Sequence, residues 1–170
     1  MLYVVGFVTG VTCLDNIIYV VCAQSSTIRL YNMDTFSPHD VINVDGMRDP
    51  RDIVVCHHDR QLYVGDVDCI WQVLVDRVDS HTYMKWLLTQ SLMNPFDITS
   101  LSLTSKHLLV TAICSLHQIS IRTLQTHTVN LPQFLKEVRY SVQTADGTFI
   151  TSHRGTSQDD GQCAVSECSV

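Results

Sequence analysis

Short apolar runs separated by polar turns recur along the chain at a nearly constant interval. The most regular are Ile18-Tyr19-Val20, Leu62-Tyr63-Val64, Leu108-Leu109-Val110 and Thr148-Phe149-Ile150, whose middle residues 19, 63, 109 and 149 are 44, 46 and 40 residues apart. A fixed period of this length is the mark of a repeated supersecondary unit. Each run follows another apolar segment across a short polar turn. The turns are Asp15-Asn16, His57-His58-Asp59-Arg60, Thr104-Ser105-Lys106 and Ala145-Asp146-Gly147, and two apolar runs joined in this way form a hairpin.

A third strand follows in three of the units, at Thr27–Tyr31, Cys69–Val73 and Gln118–Arg122. The first and last of these alternate apolar and polar residues, the period of two that marks a half-solvated strand. A fourth fits at Asp40–Val44, Tyr83–Leu88 and Thr126–Leu131. Pro50 and Pro95 each precede a first strand in a shared Pro-x-Asp-Ile core, where a missing amide donor costs the ladder nothing. The last unit departs from this. Leu131, Leu135 and Val138 have helical spacing and predict one helical turn before its first strand, while Gln162–Ser166 supplies a third strand.

Four consecutive antiparallel strands cannot stand alone, because both faces of such a unit need a neighbour. The fold class is therefore all-β. The chain is expected to be one β-propeller domain of about three and a half to four four-stranded antiparallel blades, at 9–46, 47–91, 92–131 and 132–170.

The second unit, PRDIVVCHHDRQLYVGDVDCIWQV, resembles an NHL-type propeller repeat. The matching positions are Pro50, Ile53 and Val54, then Leu62-Tyr63-Val64-Gly65-Asp66, then Ile70-Trp71-Gln72-Val73. Asp52 and Asp97 stand where that pattern has glycine, and the asparagine-rich turn is missing. The resemblance implies a six-bladed ring, of which this chain would be a truncated piece. It also implies a recognition surface, of the kind that selects substrates for tripartite-motif ubiquitin ligases.

Composition narrows the partners. Seventeen acidic residues against 11 basic give a formal charge of -6, which argues against a general nucleic-acid binder. No uninterrupted apolar run approaches the ~20 residues that span a bilayer, and no basic residue precedes the apolar N-terminus as in a signal peptide. Seven cysteines without a CxxC pair, mostly inside β-branched runs, read as small buried hydrophobes in a reducing, cytoplasmic setting.

Little in the sequence carries chemistry. Nucleophile elbows, P-loops and dinucleotide-binding glycine fingerprints are absent, so no catalytic residue and no cofactor are assigned. Cys56-His57-His58-Asp59 offers metal-ligand types, but adjacent strand residues point to opposite faces and the segment aligns with the plain turns, so no metal is assigned. Asp52 and Asp97 read as local backbone ties. Trp71 is expected to pack in the core, while Trp86 sits on an outer strand.

A protein partner remains the leading expectation. Its surface would be the loops after each second strand and the links between blades, at Arg48, Asp49, Arg51, Asp66, Asp68, His117 and Arg154. The alternatives are a propeller hydrolase or lyase with a channel-bound calcium or zinc ion, and an RNA-binding NHL-type propeller. Bare end faces are expected to make the isolated chain self-associate.

Overall fold

The computed structural model describes residues 6–75, 82–86, 98–113, 115–132, 135–154 and 163–168. The chain divides into two compact units, Met1–Pro95 and Phe96–Val170. All regular structure among the described residues is β-strand.

Unit 1 holds two antiparallel sheets, each in sequential strand order. The first contains β1 (Val8–Leu14), β2 (Ile17–Cys22), β3 (Thr27–Asn32) and β4 (Pro38–Asn43). The second contains β5 (Asp52–Cys56), β6 (Gln61–Gly65), β7 (Ile70–Leu74) and β8 (Thr82–Trp86). The β1–β2 turn is a two-residue hairpin in which Asp15 and Asn16 both take left-handed φ, 47° and 64°. Its backbone twist matches that of the flanking strands, and Asp and Asn are among the few side chains that accept such φ values.

The two sheets bury one face each against the other. Leu14, Val21, Ile28 and Ile42 from the first blade join Ile53, Leu62, Val64 and Val73 from the second in one core cluster. Burying such a side chain stabilises the fold by about 1.5–3 kcal/mol. β1 lies beside β5 at Gly10, where a Cβ would come within 2.7 Å of the Ile53 amide nitrogen and 2.9 Å of Asp52 Cα. Thr9 Oγ1 donates to Pro50 O across the same contact at 2.7 Å, and Arg60 pairs with Asp15 between the two hairpin turns.

Unit 2 repeats the plan with β9 (Ile98–Leu103), β10 (His107–Ala112), β11 (Ser115–Ser120) and β12 (Thr126–Val129). β13 (Lys136–Gln143), β14 (Phe149–Arg154) and β15 (Cys163–Cys168) form a second, three-stranded sheet. Leu109, Leu116, Val129, Val138 and Phe149 close the core between them. The described strands thus form four blades, not the six that the NHL-type resemblance implies.

Two local expectations are corrected. The helical turn expected over Leu131 to Val138 centres on residues outside the described ones; what is described is that Leu135 N donates to Pro132 O and that β13 already begins at Lys136, with register shifts around Val138, so the second half of the stretch is strand. Gln133, Phe134 and Asp97 lie outside the described residues. The third strand of the third unit starts at Ser115, three residues earlier than expected, which takes His117 out of a loop and into a sheet.

Candidate interaction surface

Three segments of unit 1 meet at one end of its strands: the β2–β3 turn, the β4–β5 link and the β6–β7 loop. The carboxylate of Asp66, which is fully buried, ties the link to the β6–β7 loop, and the β2–β3 turn joins them through Asp49. Its Oδ1 accepts from the backbone amides of Asp49 and Val67, both at 2.8 Å. Its Oδ2 accepts from the Arg48 amide at 2.9 Å and from Trp71 Nε1 at 3.2 Å. Four donors on one buried carboxylate explain how a charged group sits there without solvent. The link is shaped by Gly46, whose φ of +92° suits glycine and where a Cβ would press within 3.4 Å of the Trp71 ring.

Above this clamp the side chains form ion pairs. Arg48 Nη2 lies 2.6 Å from Asp68 Oδ2, and Lys85 Nζ lies 3.7 Å from the same oxygen. Arg51 Nη2 pairs with Asp49 at 2.9 Å, and Asp49 also accepts from the Gln24 amide at 2.9 Å. Lys85 stands 5.7 Å over the Trp71 ring. Burial pushes the Asp68 carboxyl up, but hydrogen bonds from Arg48 and Cys69 and the charges of Lys85 and Arg48 outweigh it, holding the group below the usual aspartate range. Arg48 remains 61% exposed and Arg51 40%, so both guanidinium groups are presented to solvent on a braced backbone.

Asp66, Asp68 and Cys69 are the one group among the described residues with metal-ligand atoms within 4.8 Å of one another. The chemistry does not suit a cation. Asp66 already spends its acceptor capacity on four N–H groups, and burial pushes the Cys69 thiol up to about 12, so it stays protonated. Asp68 is held by two cations. The cluster is an ion-pair hub.

The expected site residues therefore divide. Arg48, Asp49, Arg51, Asp66 and Asp68 come together, with Asp66 as the internal brace instead of a surface group. His117 is buried in β11, with Nε2 at 2.8 Å from Ser115 Oγ and Nδ1 at 3.2 Å from Thr128 Oγ1. Arg154 ends β14 in unit 2, exposed and 3.3 Å from Glu137. Lys85 and Trp71 complete the unit 1 cluster and were not anticipated in it. A Trp five residues beyond a Gly-Asp pair was the signal, since a buried indole N–H needs an acceptor.

Elsewhere, His57 and His58 lie exposed in the turn before β6, where His58 Nδ1 contacts Asp59 Oδ1 at 2.6 Å. Asp52 Oδ1 accepts from the Ile53 amide at 2.8 Å, the local tie expected of it. Trp71 is buried as expected. Trp86 is half-buried, packs against Tyr63 with the ring centroids 5.1 Å apart and the planes tilted by 56°, and donates to Gln72 at 3.0 Å. An open pocket of about 440 Å³ in unit 2 is lined by His107, Gln118, Ser120, Gln125, Thr126 and His127, with no carboxylate, lysine or arginine among them.

Neither a family model nor a curated protein sequence matches the chain. Solved structures do. Hydrazine synthase from Kuenenia stuttgartiensis aligns over 93% of this chain and 45% of its own, with a TM-score of 0.69 at 12% identity. The β-propeller domain of Cps50 (Swd1) from Myceliophteria thermophila aligns over 94% and 59%, with a TM-score of 0.63 at 12% identity. The fold is that of a β-propeller. The extracellular domain of a hybrid two-component system from B. thetaiotaomicron aligns over 95% of this chain and 20% of its own, with a TM-score of 0.64 at 15% identity. The propeller thus spans 59% or less of the length of these structures.

Among the described residues no helix is long and apolar enough to cross a membrane.

Proposed function

We propose that this propeller is a non-catalytic binding module that presents the braced end of unit 1 to a protein partner. The observation that carries the reading is the Asp66 clamp. It fixes the backbone of Arg48 and Asp49, and Asp49 in turn pairs with Arg51, so that two exposed guanidinium groups are held on a braced link; arginine is enriched where interfaces draw their energy. The ion pairs with Asp68 and Asp49 do not remove them from use, because exposed pairs of this kind are worth only about 0–1 kcal/mol and yield to a partner carboxylate.

The fold alone does not choose this function, since one similar structure is named as an enzyme and another as a propeller domain. The choice rests on the residues. The NHL-type likeness of the second blade, and a place for these blades in a larger recognition protein, belong to the same proposal and are supported by the Leu62–Asp66 and Ile70–Val73 matches. A reducing compartment also belongs to it, supported by the buried free thiols of Cys22, Cys56 and Cys69.

The test is affinity capture with the double variant R48E/R51E beside R139E, a control at another exposed arginine. The partners held by the parent protein should be lost with R48E/R51E and kept with R139E. Equal capture by both variants would remove this face from consideration.

A further inference from the structure

The seam between the two blades of unit 2 carries a set of hydroxyls that the protein itself does not satisfy. The side-chain oxygens of Ser100, Ser102, Thr111 and Ser141 are buried and have no hydrogen-bond partner among the described residues. Ser100, Thr111 and Ser141 are each no more than 1% exposed.

Register places all four on the facing sides of the two sheets. Ser100 lies directly opposite Thr111, and Ser102 opposite Leu109, so these side chains share the face of the β9–β12 sheet that carries Leu109. Leu109 packs in the same core as Val138 and Phe149 of the other blade. Ser141 lies opposite Thr151, and Thr151 shares the Phe149 face of β14. The hydroxyls therefore enter the seam from both sides, at the end where Thr99 Oγ1 donates to Val138 O at 3.2 Å.

Thr151 and His153 on the same face are satisfied, by Ser166 O at 3.4 Å and Ser166 Oγ at 2.8 Å. The unsatisfied groups are thus confined to one stretch of the seam. One orphaned hydroxyl in a fold is ordinary, but several converging in one blade contact conflict with the near-complete satisfaction of buried polar groups. Serine and threonine hydroxyls both donate and accept, and an internal water needs about two to four such partners.

We propose that the seam between the two blades of unit 2 is a built site for internal water, with the hydroxyls of Ser100, Ser102, Thr111 and Ser141 as its ligands. Water is the fitting guest because the donors are small, neutral and amphoteric, and no Asp, Glu, Lys or Arg is among the buried residues described in unit 2. The site makes part of this blade contact hydrated instead of dry.

The test is water-to-methyl cross-relaxation on the whole chain labelled at threonine and valine methyls, with Thr126, which is exposed, as the control. The Thr111 methyl should show a long-lived water cross-peak that Thr126 does not. T111V keeps methyls at that position but removes a ligand, so the cross-peak should weaken, and the melting temperature of T111V and of S141A should fall by a few degrees. A rise in melting temperature in both variants would mean that they relieved dry, unsatisfied groups and would overturn the proposal. Absence of the cross-peak in the parent protein overturns it as well, and that signal decides where the two readouts differ or a variant does not fold.

Discussion

Asp66 shows how one side chain sets both local stability and the presented surface. D66A would leave the amides of Arg48, Asp49 and Val67 and the Trp71 indole without their acceptor. Its expected cost is roughly 3 kcal/mol, read from urea unfolding followed by tryptophan emission. His117 has a different influence, because burial pushes its pKa below the ordinary histidine value. The unfolded chain then takes up the proton more readily than the native state. The stability this residue contributes is complete above the ordinary histidine pKa and is lost as pH falls below it towards the lowered native value. Urea midpoints at pH 7 and pH 5 should therefore differ more for the parent than for H117Q. Only the spacing of Trp71 from Gly65-Asp66 pointed to the first role in the sequence, and nothing pointed to the second. Asp66 follows a strand and His117 precedes an alternating one, so both resemble loop residues, and only the convergence of donors on one and the Ser115 and Thr128 hydroxyls on the other account for their burial.

At the scale of elements, the close approach of β1 and β5 depends on Gly10. G10A would drive a methyl into the backbone of Asp52 and Ile53, where no side chain can move aside. Overpacking of this kind costs about 1–3 kcal/mol, and thermal unfolding should show the loss. The hairpins were legible because their turn chemistry is local: Asp15-Asn16 and Gly147, with φ of +92°, sit where left-handed backbone is required. The start of β13 was not. Leu131, Leu135 and Val138 share the helical spacing, but all three pack on one core cluster and Val138 does so from a bulged strand, so at that end tertiary packing overrides the periodicity.

For the whole molecule, the recurring interval of the apolar runs was the legible part, because each blade needs the same four-strand length to cover its neighbour. What the interval could not show is which faces stay bare. Val11 is 56% exposed on the side of its blade away from Ile53, and Val165 is 71% exposed on the side of its sheet away from Phe149. Removing a few hundred Å² of such surface from water is worth several kcal/mol at about 25 cal/mol per Å². The isolated chain should therefore self-associate, and light scattering after gel filtration should give a mass above 19.2 kDa that rises with concentration. A sharp monomer at all concentrations would refute this. The brace at Asp66 also bears on how quickly a partner is captured. A loop already ordered by four hydrogen bonds loses little freedom at first contact, so encounters at this face would be limited by diffusion and orientation, and competing partners would be told apart mainly by how long each stays bound.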